Sequence, residues 1–131
     1  MKNLMCTMFS LALLLICTGS AGAAAATGEV VPGIPVKGTV TLVDLGATTC
    51  IPCRMMAPIL EELKKEYQGR VGVVFIDVWD PANEGKAAAF KVMAIPTQVF
   101  YDRNGREAYR HTGFLDKKAI AAKLDELLGQ K

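Results

Sequence analysis

Cys50-Ile51-Pro52-Cys53 stands where the apolar run Thr39-Val40-Thr41-Leu42-Val43-Asp44-Leu45 gives way to a helical pattern that starts near Ile51. Two cysteines two residues apart at a strand-to-helix junction point to redox chemistry rather than to a structural crosslink. At a helix N-terminus the first backbone N–H groups lack partners and the macrodipole is positive, so a thiolate on Cys50 is stabilised and its pKa lowered. Cys50 is therefore expected to be the nucleophile. One turn on, Cys53 can close a disulfide from deeper in the helix, which suits a resolving thiol that attacks a mixed disulfide. Pro52 fits the first turn, where a missing N–H costs nothing.

Other uses of the pair are limited by the donors available. A closed zinc site needs four N or S ligands, and the chain has four cysteines and one histidine, with Cys6 and Cys17 in a segment expected to be removed. Cys50, Cys53 and His111 are too few, and no metal is expected. A structural disulfide stays an alternative, although closing so short a loop removes little unfolded-chain entropy.

Residues 1–26 read as a cleaved secretory signal, with Lys2 as the basic start, Leu4 to Cys17 as the apolar core and Ala21 to Ala26 as small-residue cleavage options. The apolar core of about 14 residues is shorter than the ~20 that a membrane-spanning helix needs. Ile16 before Cys17 argues against lipid modification of that cysteine. Export to an oxidising space, the periplasm in a Gram-negative cell, is the expected localisation. Residues 27–38, with Pro32, Gly33, Pro35 and Gly38, form an extended lead-in that has room for a short edge strand at Glu29 to Val31. The rest, 39–131, is long enough for one modest core. The formal charge of +2 predicts no affinity for nucleic acid or membranes from bulk electrostatics.

The chain then alternates. After the strand Thr39 to Leu45, Met56, Ile59, Leu60, Leu63 and Tyr67 recur at helical spacing over Ile51 to Gln68, up to Gly69. Val71 to Val78 reads as a strand buried on both faces, and Asn83 to Val92 as a weaker, alanine-rich helix. Asn104-Gly105 between Thr97 to Asp102 and Glu107 to Thr112 signals a hairpin. Asp116 caps a last helix, with Leu115 and Ile120 placed as a hydrophobic staple. The order gives an α/β protein with a central mixed β-sheet and helices on both faces.

These elements resemble the thioredoxin family from about Thr39 to Leu128, and four matches carry the resemblance. Val40-Thr41-Leu42-Val43-Asp44 is similar to the family strand that ends in a buried aspartate. Cys50-Ile51-Pro52-Cys53-Arg54 resembles the Cys-Gly-Pro-Cys-Lys signature, with Pro58 at the place of a helix-kinking proline. Ala94-Ile95-Pro96-Thr97 resembles the loop whose proline is cis and faces the disulfide, and Gly113 matches a glycine after the last strand. The resemblance implies the thioredoxin fold and a protein-disulfide oxidoreductase. It makes Cys50 the nucleophile, Cys53 the resolving thiol and Asp44 the proton acceptor through a water, with Ile51, Pro52, Ile95 and Pro96 contacting substrate. An aspartate in an apolar strand is costly to bury charged, so its pKa should rise whatever the family. A solvated strand-end residue beside Gly46 is the alternative.

Departures from the family pattern shape the expectation further. Thr49 stands where the family most often has tryptophan, and the lysine that many thioredoxins set beside the buried aspartate is read as falling at Val73. Met56 reads as core and Met55 as a groove-lining residue; Trp79 reads as an anchor at the core edge and His111 as a surface or packing residue. The expected activity is reduction of client protein disulfides by a monomer that carries no cofactor and is recharged by a membrane electron donor. The alternative is a soft-metal module that holds Cu(I) on Cys50 and Cys53, with or without His111; copper chaperones of this fold usually space their cysteines by three residues, which counts against it.

Overall fold

The computed structural model describes residues 33–129, so residues 1–26, expected to be a secretory signal, and the strand expected at Glu29 to Val31 lie outside the described residues. β1 (Val40–Gly46) leads to α1 (Ile51–Glu66) and β2 (Val71–Asp77). A 3-10 turn (Pro81–Asn83) and a single turn, α2 (Lys86–Ala89), precede β3 (Thr97–Tyr101), β4 (Glu107–Thr112) and α3 (Lys117–Gly129). Among the described residues the four strands form one mixed sheet in the order β2-β1-β3-β4. β1 is central, parallel to β2 and antiparallel to β3, and every residue of it is buried.

Alternation along β1 divides the core between the two faces of the sheet. Val40 and Leu42 pack with Phe100 of β3 under α1 (Met56, Leu60, Leu63) and α3 (Ile120, Leu124). Val43, Leu45 and Val99 face the other way, with Ile76 and with Phe90 from the segment after α2. Fully burying a side chain such as Leu42 contributes roughly 1.5–3 kcal/mol over leaving it exposed. At its C-terminal end α1 is tied to α3 by Tyr67, whose Oη donates to Asp125 at 2.9 Å; burial and that carboxylate push the phenol up to about 12.

Local signals in the sequence hold at most boundaries. Asp116 Oδ1 accepts from Ala119 N at 3.0 Å, capping α3, and Leu115 and Ile120 both join the core. In the hairpin, Asp102 Oδ1 accepts from Asn104 N and Arg106 N, and Gly105 takes a φ of +76° that a side chain would strain.

Two expectations fail. β2 is only partly buried: among the described residues it is the outer strand of the sheet, and Phe75 is 39% exposed. Its continuous apolar run reflects packing under α1 on one side and against the 81–92 segment on the other. The helix expected from Asn83 to Val92 shrinks to the 3-10 turn and α2. Gly85 at φ +81° and Lys91 at φ +53° break the helical path on either side of Lys86–Ala89, and Asn83 Nδ2 donates to Asp77 O instead of extending a helix.

Candidate active site

Strand register brings four loops to one end of the sheet. Gly46 pairs with Asp77, Leu45 with Thr97, and Thr97 with Thr112. The segments 47–50, 78–80, 93–96 and 113–114 therefore leave the sheet side by side. The first turns into α1: Cys50 N donates to Ala47 O at 3.1 Å, and Asp77 Oδ2 accepts from both Thr48 N and Thr48 Oγ1. Those bonds, with another from Trp79 N, hold the Asp77 carboxyl below its ordinary range, the Thr48 N–H being the largest cause.

Cys50 is the N-cap of α1, in extended conformation, and its Sγ accepts from Cys53 N at 3.4 Å. It is bonded to Cys53 as a disulfide with the Cα atoms 5.2 Å apart. Cys50 is half-buried, whereas Cys53 is 3% exposed. Pro52 occupies the first turn as expected and Pro58 lies inside α1. Cys53 packs on Gly46, where a Cβ would come within 3.2 Å of its Sγ and of a Phe75 ring carbon. A cleft of about 240 Å3 runs past it, walled by Ala47, Leu60 and Phe75 and rimmed by Arg54, Glu61 and Lys64.

Asp44 shares the strand face of Gly46 two residues back, about 6.6 Å along β1 at strand spacing. It is fully buried, so it is not a solvated strand-end residue. Burial pushes its carboxyl up to about 6, with a hydrogen bond from Gln98 pulling the other way. Its neighbour on β2 is Phe75, and Val73 pairs with Leu42 instead. Val73, where the family's lysine is read to fall, shares the face of Phe75 and stands diagonal to Asp44.

Ile95-Pro96 is cis, with Ile95 half-buried and Pro96 buried. Thr97 Oγ1 donates to Ala94 O at 2.6 Å and Gly113 N to Pro96 O at 2.8 Å, fixing the loop from both sides. Ile51 is 74% exposed, and Met93, one residue before the loop, is 95% exposed. Trp79 does not anchor the core edge; it is 62% exposed and borders a hollow with Thr48, Thr49, Asp77 and Asp80. An aromatic ring thus stands beside Thr49, supplied by the loop after β2. His111 lies on β4, its Nε2 3.3 Å from Phe114 O. Among the described residues no group of three or more His, Cys, Asp or Glu side chains is gathered for a metal, so His111 does not join Cys50 and Cys53.

Gln98 and Asp77 were missed in the sequence. Gln98 had a signal: strand alternation puts it on the same face as Phe100, an amide where the core needs an apolar residue.

A family model described as Thioredoxin matches residues 34–126. Thioredoxin from Staphylococcus aureus strains Mu50 and MW2 is 40% identical to the chain over 93 residues, 71% of this chain and 86% of each relative. The crystal structure of chloroplastic thioredoxin z superposes with a TM-score of 0.65 at 31% identity, covering 75% of this chain and 86% of that one. Its sheet and flanking helices are the thioredoxin fold expected from the sequence. A match over this much of the chain, with relatives at this identity, places the protein in the thioredoxin family as a redox protein whose cysteine pair is Cys50 and Cys53.

Proposed function

We propose that the chain is an exported thiol–disulfide oxidoreductase that reduces disulfides of client proteins. One observation carries the reading: a half-exposed Cys50 caps α1 while its partner Cys53 is buried on the strand face of Asp44. In the reduced protein, the Cys50 thiolate attacks one sulfur of the client disulfide, and the displaced client thiolate takes a proton from solvent. Cys53 then gives its proton through a water to Asp44 and attacks Cys50 Sγ. The Cys50–Cys53 bond forms, the second client thiolate leaves, and two electrons have passed to the client. A dithiol donor, in our reading a membrane protein, returns the pair to the reduced state.

Client contact is assigned to Ile51, Pro52, Ile95 and Pro96. The loop at Ile95 offers backbone to an extended client segment, which can add as a short strand. Insulin reduction with a dithiol as electron source tests the activity. The wild type is expected to accelerate precipitation of the insulin B chain and Cys50→Ser to have no effect; equal rates with and without wild-type protein would overturn the reading. Export rests on the segment 1–26. Expression of the full chain in a Gram-negative host should yield periplasmic protein whose mass corresponds to cleavage after Ala26, within three residues, and cytoplasmic protein of full mass would overturn it.

A further inference from the structure

Asp44 and Gln98 are paired residues of β1 and β3 on the same face, and both are fully buried. Gln98 Nε2 donates to Asp44 Oδ1 at 2.8 Å. Two buried side-chain oxygens have no partner among the described residues, and they are the remaining oxygens of this same pair: Asp44 Oδ2 and Gln98 Oε1. Both are acceptors, and leaving both unpaired in a core is costly. A single proton on Oδ2 turns one of them into a donor for the other.

We propose that Gln98 is the positioning residue of the buried acid: when Asp44 is protonated on Oδ2, the O–H donates to Gln98 Oε1 while Gln98 Nε2 donates to Oδ1, closing an acid–amide pair. The inference rests on the reading of Asp44 as proton acceptor for its kinetic meaning. The amide serves both protonation states. Its N–H supports the carboxylate in a site with no cation opposite, since Phe75 holds that place, and its carbonyl holds the proton once it has arrived.

The other groups around the pair are few. α1 contributes Cys53, with Arg54, Glu61 and Lys64 around the cleft beyond it. β4 sets His111 next to Gln98 in the same cross-strand row. The α3 side chains turned to this face, Ile120 and Leu124, are apolar, and Asp125 is bonded to Tyr67.

Gln98→Met keeps the size of the side chain and removes both bonds. A hydrogen bond to a carboxylate is about twice as strong as one between neutral groups, so the ionised form loses more and the Asp44 titration should rise by about one pH unit. Infrared spectra of the oxidised protein, with Asp44→Asn subtracted, read the acid directly. Its C=O band is expected to move to higher wavenumber in Gln98→Met as the carboxyl loses its partners. An unchanged midpoint and band would overturn the pairing. Gln98→Glu is the second variant: two acids sharing one buried site should titrate in two separated steps, and a single step at the wild-type position would overturn the pairing just as well. Resolution of a mixed disulfide by Cys53, followed against pH, separates the two ideas. A shifted infrared titration with unshifted resolution supports the pairing and overturns Asp44 as proton acceptor; shifts in both support both.

Discussion

Cys53 lies directly against Gly46: a Cβ on Gly46 would stand 3.1 Å from Cys53 Cβ and 3.2 Å from its Sγ. The strand that carries Asp44 thus ends in a residue whose lack of a side chain seats the buried thiol. Gly46→Ala must push Cys53 or Phe75 aside, and Cys53 is held in α1. Overpacking of this kind costs about 1–3 kcal/mol, less the ~0.5–1 kcal/mol that alanine gains in chain entropy. Denaturant melts should show a net loss, and a variant as stable as the wild type would mean that Cys53 is not seated on Gly46.

Exposure separates the roles of the two thiols. With Cys50 half-buried and Cys53 3% exposed, a client disulfide can be reached by Cys50 alone. Cys53→Ser should accumulate mixed disulfides with clients in the cell envelope and Cys50→Ser should not. Equal trapping by both variants, or by neither, speaks against the assignment.

Arg110 joins two parts of the chain that backbone pairing leaves apart. Its Nε and Nη2 grip Glu107 at 2.7 and 2.8 Å, and Nη1 donates to Phe90 O at 2.9 Å. The segment after α2 is thereby fastened to β4. Arg110→Met should cost about 1 kcal/mol and speed tryptic cleavage at Lys86 and Lys91, because those sites open more readily. Cleavage at the wild-type rate would show that the core contacts of Phe90 alone hold the segment.

Local chemistry is what the sequence displayed well. The helical spacing of Met56, Leu60 and Leu63, the Asn104-Gly105 turn and the Asp116 cap are each written within a few residues of one another, and each element formed where they indicate. Cys50, Cys53 and Asp44 stood out by residue type. What pairing through space decides was hidden: that Phe75 stands directly opposite Asp44, and that Gln98 bonds the acid. Trp79 was misread for a related reason, since a large apolar residue after an apolar strand looks like core whichever way its loop carries it, and here it is 62% exposed.

The pH dependence of stability tests the buried acid. Its carboxyl goes from an ordinary 3.8 to about 6 in the fold, chiefly because burial penalises the charge. The folded state thus binds this proton more tightly than the unfolded chain does. Below the unfolded value both states are protonated and the group costs nothing; between pH 4 and 6 the unfolded chain ionises first, and stability falls as pH rises until the folded acid has ionised too. A shift of that size corresponds to about 3 kcal/mol, fully expressed above pH 7. Asp44→Asn carries no such proton. The stability of the oxidised variant relative to wild type should therefore improve by about 2–3 kcal/mol between pH 4 and pH 8, whatever offset the new amide brings at pH 4. Denaturant melts at the two pH values measure this difference of differences. A stability gap that stays constant across the range would mean that Asp44 ionises in the folded protein as easily as in the unfolded chain, and that Gln98 and its surroundings solvate the carboxylate as well as water does.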